Sequence, residues 1–493
     1  MAKFNLSNQG VNKTVTYEGA PAFKIADAKE KLVMQVLTTF VGEPKFYGNV
    51  DDQTMELVTD IRNMCRQDPK FVAALANFAR NVYHLRSVSH VIVAEMAAIK
   101  ESKPFVRRTM QNIAIRPDDM TETLAYYLNT HGKPIPNSLK KGLGDVFPKF
   151  DEYQLQKYNR DQAVKLRDVL CISHPRPLST EYSDMWKRLL EDNLNIPYTW
   201  ETELSARGNN KATWIDLIDS GKVGYMALLR NLRNILKAEP DNINKVFEQL
   251  SNRGRVLKSR QLPFRFFAAH RELQGLPSFY TEQALDALEV AMSISVENME
   301  RYPGKTLIVA DGSGSMTWNH VSRRSTVSCA DIAALLMATA QHSCDAVLTG
   351  TFSNRFDLVS LSRNDGILTN TNKVVRLMEG GATNMFLIFK WLLQKDMAVD
   401  RIIIVSDDQA HPDWTGNYLA RSDGSAAQYF REYQNKYPDV WLHMIDTTGY
   451  GTQQFMGKNV NYIPGWSERI LSFIPFVEMG LTNIVNTIEE FGR

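Results

Sequence analysis

The sequence predicts two bodies of different architecture: an α-helical solenoid over residues 18–300 and a doubly wound α/β domain over residues 301–493. Three observations carry this expectation. The first 300 residues hold a succession of amphipathic stripes with a 3.6-residue period and short breaks. From about Lys305 the pattern becomes continuous apolar runs alternating with helical stretches, as in a parallel sheet covered on both faces. A length of 493 residues leaves room for roughly two to four domains with full-sized cores.

The first helix is expected over 28–41. Asp27 is placed to cap it, Glu30 follows three residues on, and Leu32, Val33, Val36, Leu37 and Phe40 form its apolar face. A second helix starts at Gln53, with Met55, Val58, Ile61 and Cys65 inward. Asp68-Pro69 supplies a cap followed by a first-turn proline, and the stripe Phe71, Leu75, Phe78, Val82 follows. Val88, Val91, Ile92 and Met96 make the next stripe, and Met120, Leu124 and Leu128 another, before a stop at Gly132. Helices of this length with short breaks suit stacked pairs, an α-solenoid, or an irregular helical domain, since no clean repeat period is visible. The methionine and aromatic stripes read as core rather than as a cofactor pocket. After the Tyr302-Pro303-Gly304 junction, KTLIVAD, DAVLTGTF, RIIIVSD and VWLHMID read as strands. Helices are expected at 328–341, 385–394 and 426–436.

Composition excludes several classes. The chain is 44% hydrophobic and 23% charged, which rules out collagen, extensive disorder and a coiled-coil rod. No apolar run approaches the roughly 18 residues of a membrane span, and the first residues have no signal-like apolar core. Cys65, Cys171, Cys329 and Cys344 form no C-x-x-C pair, so a reducing, cytoplasmic setting is expected. A net charge of +2 decides nothing about nucleic acid; the placement of the charges must.

Doubly wound sheets bind ligands beyond the carboxyl ends of their strands. There the sequence places DGSGSM with Asp311, Ser313 and Ser315, a glycine-rich GGATN loop with Thr383, and the end of RIIIVSD with Asp407. Carboxylates and hydroxyls are hard oxygen donors suited to Mg²⁺ or another divalent cation that keeps several waters. In order and type these five residues resemble the metal-ion-dependent adhesion site (MIDAS) of von Willebrand factor A domains. The resemblance implies a bound cation whose open position takes a carboxylate from a protein partner. The last element departs from the usual S/T-D-G, reading Ser406-Asp407-Asp408-Gln409, so Asp408 is an alternative donor. No His or Glu in these motifs offers a catalytic base, and His411 reads as a loop residue.

Two segments of the helical half are basic. Residues 251–271 carry Arg253, Arg255, Lys258, Arg260, Arg265 and Arg271 with no acid, interleaved with Phe264, Phe266 and Phe267. The arginines suit RNA phosphates, whereas the phenylalanines fit a helix core. A second stretch holds Lys157, Arg160, Lys165, Arg167, His174 and Arg176, diluted by Asp161 and Asp168, and by itself reads as a charged helical face.

The phrases YEGAPAFKI, GEPKFYG, FDEYQLQKY, VKLRDVL followed by SHPRP, NLRN and SRQLPFRF, ahead of an A-domain, resemble the Ro autoantigen family of TROVE-domain proteins along nearly the whole chain. The resemblance implies a ring of HEAT-like helical repeats closed by the A-domain. It implies binding of small structured noncoding RNAs (Y RNA-like) outside the ring and of single-stranded 3′ ends of misfolded RNA in its hole. It also implies a role as a ribonucleoprotein scaffold in RNA quality control, in bacteria alongside an exoribonuclease such as polynucleotide phosphorylase. The family's RNA-binding lysine in a K-Y pair matches Lys157-Tyr158, and its histidine in S-H-x-(K/R)-P matches His174, with Arg176 at the basic position. The arginine expected four residues after the lysine is replaced by Asp161, beside Arg160. The function expected is therefore non-catalytic RNA binding by a monomer. The alternative is a cation-dependent protein-interaction module centred on the A-domain. No phosphate-binding G-x-x-x-x-G-K-(S/T) loop or H-x-x-x-H pair supports an enzyme.

Overall fold

The computed structural model describes residues 13–15, 21–23, 28–38, 52–299, 301–320, 326–378, 380–407, 426–447, 455, 457–464, 470–478 and 481–492. They form two compact units, one of residues 27–202 with 481–493, the other of residues 1–26 with 203–480. This division differs from a boundary at residue 300. The helices after residue 203 pack against helices that flank the sheet, for instance where the backbone N–H of Leu368, in the helix Ile367–Leu377, donates to Glu289 Oε1 (3.3 Å) and Arg271 pairs with Asp331 of the helix Cys329–Ser343. The terminal helix Leu481–Phe491 belongs to the first unit. There Lys29 bridges Glu489 (2.8 Å) and Asp68 (2.6 Å), and Phe491 meets Phe78 edge-on at 5.6 Å. A Cβ on Gly492 would lie 2.5 Å from Ala74 Cβ, so the close approach there requires glycine.

The first unit is built of successive helices whose apolar stripes are buried. Asp68 caps the helix Pro69–Asn81 by accepting from the Phe71 N–H (3.0 Å), with Pro69 in the first turn. Phe71, Leu75 and Phe78 are buried, but Val82, past the helix end, is 38% exposed. Met55 also departs from expectation at 55% exposed. Steps of three residues rotate backward by about 60° each, so Met55 lies about 120° from the middle of the buried Leu57, Val58, Ile61, Met64 and Cys65 face. Asp27 and Phe40 lie outside the described residues. Among the described residues of this unit, two acids are fully buried. Asp119 accepts from Arg80 (3.0 Å), Arg86 (2.8 Å), His90 (3.0 Å) and the N–H groups of Ile115 and Arg116. Glu95 takes both arms of Arg62 (2.7 and 3.0 Å), the Tyr126 hydroxyl and His131.

In the second unit, β1 (Lys13–Val15) and β2 (Pro21–Phe23) pair antiparallel. The main sheet has β3 (Tyr302–Asp311), β4 (Cys344–Phe352), β5 (Phe356–Leu358), β6 (Arg401–Ser406), β7 (Trp441–Asp446) and β8 (Val460–Pro464), in the order β5-β4-β3-β6-β7-β8. All neighbours are parallel except β4 and β5. β6 and the second half of β3 are buried throughout, which is why these runs are apolar without alternation. The chain leaves β3 for β4 on one side and returns to β6 on the other. That reversal makes a crevice at the carboxyl ends of β3 and β6. At the opposite end of β6, Arg401 is held by both oxygens of Glu478 (2.6 and 2.8 Å), which also meets buried His443 (3.1 Å). Phe266 and Phe267 are buried in the helix Pro263–Leu273, as the sequence predicts.

Candidate cation site and basic surfaces

β3 ends at Asp311 and β6 just before Asp407, so the strand reversal sets these two acids on either side of the crevice. Asp311 is 0% and Asp407 1% exposed. Asp311 Oδ1 accepts the Ser313 N–H (2.8 Å), which folds the loop back over the strand end. Its Oδ2 accepts the Ser406 hydroxyl (2.5 Å), and the hydroxyls of Ser313 and Ser315 lie 3.1 Å apart. Three backbone N–H groups around Thr383 tie its loop to the same place. Gly380 N–H donates to Gly312 O (3.0 Å), Ala382 N–H to Asn354 Oδ1 (3.1 Å) and Asn384 N–H to Ser353 O (3.3 Å). Gly381 has φ 115°, and a Cβ there would lie 2.7 Å from Asn354 Nδ2, so the loop needs glycine twice over.

Burial pushes the Asp311 carboxyl up to about 7; the Ser406 hydroxyl pulls it down and the charge of neighbouring Asp407 pushes it up. Two buried carboxylates that repel each other, with the Ser313, Ser315 and Ser406 hydroxyls at the same strand ends, are a donor set whose strain a divalent cation relieves. Asp311, Ser313, Ser315, Thr383 and Asp407 thus fit such an ion in chemistry. Among the described residues no three or more His, Cys, Asp or Glu side chains gather as a metal site, so this hydroxyl-rich set is of a different kind. Asp408, Gln409 and His411 lie outside the described residues.

Sequence reasoning gave no role to three neighbours. Ser406 orients Asp311. Asp446 ends β7 opposite Ser406 and accepts the Tyr462 hydroxyl (2.5 Å). Burial pushes the Cys329 thiol up to about 11, with the charges of Asp407 and Asp446 adding to it. The available signal was that VWLHMID, like KTLIVAD and RIIIVSD, ends in an acid.

The two basic segments fare differently. Lys157 lies in the last turn of the helix Glu152–Tyr158, and His174 ends Leu166–Ser173 with a left-handed backbone (φ 45°). Lys157, Arg160, His174 and Arg176 are exposed, and none makes an ion pair among the described residues. The His174 backbone is firmly seated: a Cβ on Gly144 would lie 3.2 Å from Ser173 O and 3.7 Å from Pro175 Cα. Asp161, standing where the family pattern has arginine, pairs with Lys165 (2.6 Å). In the other segment, Arg253 is paired with Glu297 and Arg255 donates to Gln249 (2.8 Å). Lys258 is exposed, Arg260 ends the helix Arg253–Ser259 with φ 54°, and Arg265 projects from Pro263–Leu273. Arg271 lies over the Phe267 ring (5.1 Å) and pairs with Asp331.

The sequence profile of the TROVE domain matches residues 20–193 and 186–282, and that of the Ro60 vWA domain matches 305–435. Telomerase protein component 1 of Rattus norvegicus is 26% identical over 381 residues, 56% of this chain and 14% of that protein. The protein of the same name in Mus musculus is 27% identical over 336 residues, 49% of this chain and 13% of that one. The chain thus spans only a small part of the curated relatives it matches. The crystal structure of Deinococcus radiodurans RO (RSR) protein superposes with a TM-score of 0.65 at 16% identity, covering 94% of this chain and 99% of the other. That likeness establishes a shared fold.

Proposed function

Because the chain belongs to the TROVE-domain family, we propose that it is a non-catalytic RNA-binding protein that holds small structured, Y RNA-like noncoding RNA and the single-stranded ends of misfolded RNA. In this reading it serves as a ribonucleoprotein scaffold in RNA quality control. The observation that carries it is the outward set Lys157, Arg160, His174 and Arg176, cationic or hydrogen-bonding groups with no ion pair among the described residues. Such groups neutralise phosphates, and affinity then falls steeply with salt. The segment 253–265 is the weaker candidate, because Arg253 already spends its charge on Glu297.

The A-domain supports a second, compatible role. With a divalent cation bound, Asp311, Ser313, Ser315, Thr383 and Asp407 would supply its oxygens, and the ion would offer an open position to a partner's carboxylate.

The test is fluorescence anisotropy with a small hairpin RNA carrying a single-stranded 3′ tail, titrated across salt concentrations. Binding is expected to survive chelator, and Lys157→Met to lower the slope of log affinity against log salt by about one. Failure of the intact protein to bind, or binding that chelator abolishes, would refute the reading.

A further inference from the structure

The loop after β3 closes in a single helical turn, Gly314–Trp318, that is fastened on both sides. Asn319 N–H donates to Ser315 O (3.0 Å) and the Thr317 hydroxyl to Gly314 O (2.8 Å). Cys329 N–H donates to Asn319 O (2.8 Å), which ties the turn to the helix Cys329–Ser343. Met316 is 0% exposed and anchors the inner side. Of the five candidate cation ligands, Asp311, Ser313, Thr383 and Asp407 are buried and Ser315 is exposed, so the site meets solvent on the Ser315 side. Trp318 follows Ser315 by three residues, which places both on one helical face. It is 83% exposed, and among the described tryptophans it is the only exposed one. Packing of the turn does not require this ring, since Met316 already fills the inner side. An aromatic group held in water beside the open side of a ligand site is the residue type that anchors protein interfaces.

We propose that Trp318 decides which carboxylates the cation site accepts: the ligand is an extended protein segment with an acidic side chain on the cation and an aliphatic side chain, two residues away, on the Trp318 indole. Spacing and charge argue for this pattern. Side chains two residues apart in an extended segment share a face and lie roughly 6.5 Å apart. One turn of helix, the step from Ser315 to Trp318, advances about 5.4 Å, so the two spacings match. The cation calls for a negative group, and the indole offers an apolar face on which an aliphatic side chain loses water and a hydroxyl or charged one gains little. A bare carboxylate would fill the cation's open position without using Trp318. The proposal rests on the reading of Asp311, Ser313, Ser315, Thr383 and Asp407 as a cation site that takes a partner's carboxylate, and adds the side-chain pattern of that partner.

The experiment titrates the full chain, in saturating Mg²⁺, into end-blocked pentapeptides and follows the peptide resonances by NMR. Leu-Gly-Asp-Gly-Leu sets a leucine two residues to either side of the acid. Ser-Gly-Asp-Gly-Ser lacks the apolar groups, and Leu-Gly-Asn-Gly-Leu lacks the charge. The first is expected to bind roughly fourfold to twelvefold tighter than the second, the gain from covering about half of one leucine side chain. The asparagine peptide should not bind, and chelator should release the others. Trp318→Ser should bring the leucine peptide down to the affinity of the serine peptide, while leaving the latter and the Mg²⁺-induced rise in Tm unchanged. Trp318→Phe should keep most of the preference. Equal affinity for the two acidic peptides, or a preference that survives Trp318→Ser, would overturn the role of Trp318 alone. A Mg²⁺-dependent dimer that Trp318→Ser dissolves would also overturn it, by assigning the ring to a second copy of the chain. A rise in Tm with Mg²⁺ but binding of neither acidic peptide would overturn the carboxylate reading, and absence of that rise the cation site itself, each taking the proposal with it.

Discussion

Replacing His174 with glycine should stabilise the protein and weaken its hold on RNA. The helix Leu166–Ser173 ends at His174 with φ 45° and ψ 59°, its N–H still donating to Leu170 O (3.0 Å). A left-handed backbone costs an ordinary L-residue roughly 1–2 kcal/mol, and glycine, which commonly ends helices this way, escapes that cost. Glycine gives back about 0.5–1 kcal/mol through the greater freedom of its unfolded chain, leaving a net gain of about 0.5–1 kcal/mol. In a unit of this size a gain of 1 kcal/mol raises Tm by about 2–4 °C, so a rise of about 1–4 °C is expected in the transition that unfolds residues 27–202. If the imidazole meets a phosphate, losing that charge-assisted hydrogen bond costs about 1.5–3 kcal/mol, a tenfold to 150-fold loss of affinity. Thermal denaturation and anisotropy on the same preparation read both effects. His174→Asn, whose side chain tolerates the left-handed region, should fall between in stability. A lower Tm for the glycine variant would mean that packing of the imidazole holds the turn, and unchanged affinity would remove His174 from the interface.

Three further outcomes follow from the geometry. Asp119→Ala strands Arg80, Arg86 and His90 around a buried gap, so the urea midpoint should drop by the equivalent of about 3–5 kcal/mol; a loss under about 1 kcal/mol would contradict the network described. Burial raises the Glu478 carboxyl, but the hydrogen bonds from Arg401 and His443 outweigh it and hold the group at about 2, against an ordinary 4.5. A lowered carboxyl stabilises the fold fully above about 4.5 and progressively less as pH falls toward 2. Glu478→Gln should therefore cost most at neutral pH, and its urea midpoint should approach that of the unaltered protein as pH drops from 4.5 toward 3; a pH-independent difference would refute the assignment. Saturating Mg²⁺ should raise the Tm of the sheet-containing unit, by mass action about 2.7 kcal/mol at one hundred times Kd, and Asp311→Ala should abolish the rise. An equal response from both proteins would place the cation elsewhere.

The strands that carry the candidate cation site were legible because they are buried on both faces, and a continuous apolar run ended by an acid has few other readings. The strand edges were not. β5 is three residues long and β8 ends in Pro464, too short or too irregular to show a period. The helix Ile367–Leu377 also went unread, its stripe of Ile367, Leu368 and Val374 being diluted by buried Asn370 and Thr371. In the helical half, the stripes located five helices before Gly132, but Lys103–Ile113 and the helices after residue 133 were not read one by one, and only the angular arithmetic separates Met55 from its face. The contact of the Arg116 guanidinium with the Tyr158 ring (4.6 Å) was out of reach, because it joins residues 42 positions apart through an orientation that Asp118 sets.

The same limit explains why charge counting undervalued the stretch around Lys157. Between residues 151 and 176 the sequence sets four acids against five lysines and arginines. In the fold most of those acids are engaged close to home. Asp151 caps its helix at the Gln154 N–H (2.7 Å), and Asp168 caps the next at the Lys165 N–H (2.8 Å). Glu152 takes Arg188 in both arms, and Asp161 takes Lys165. An acid at a helix N-terminus is partly offset by the helix dipole, and one in an ion pair by its partner. Lys157, Arg160 and Arg176 have no ion-pair partner among the described residues, so the field they project is less cancelled than the composition suggests. A chain with a formal charge of only +2 can therefore still present a surface on which phosphates gain, because what matters at short range is which charges the fold has already neutralised.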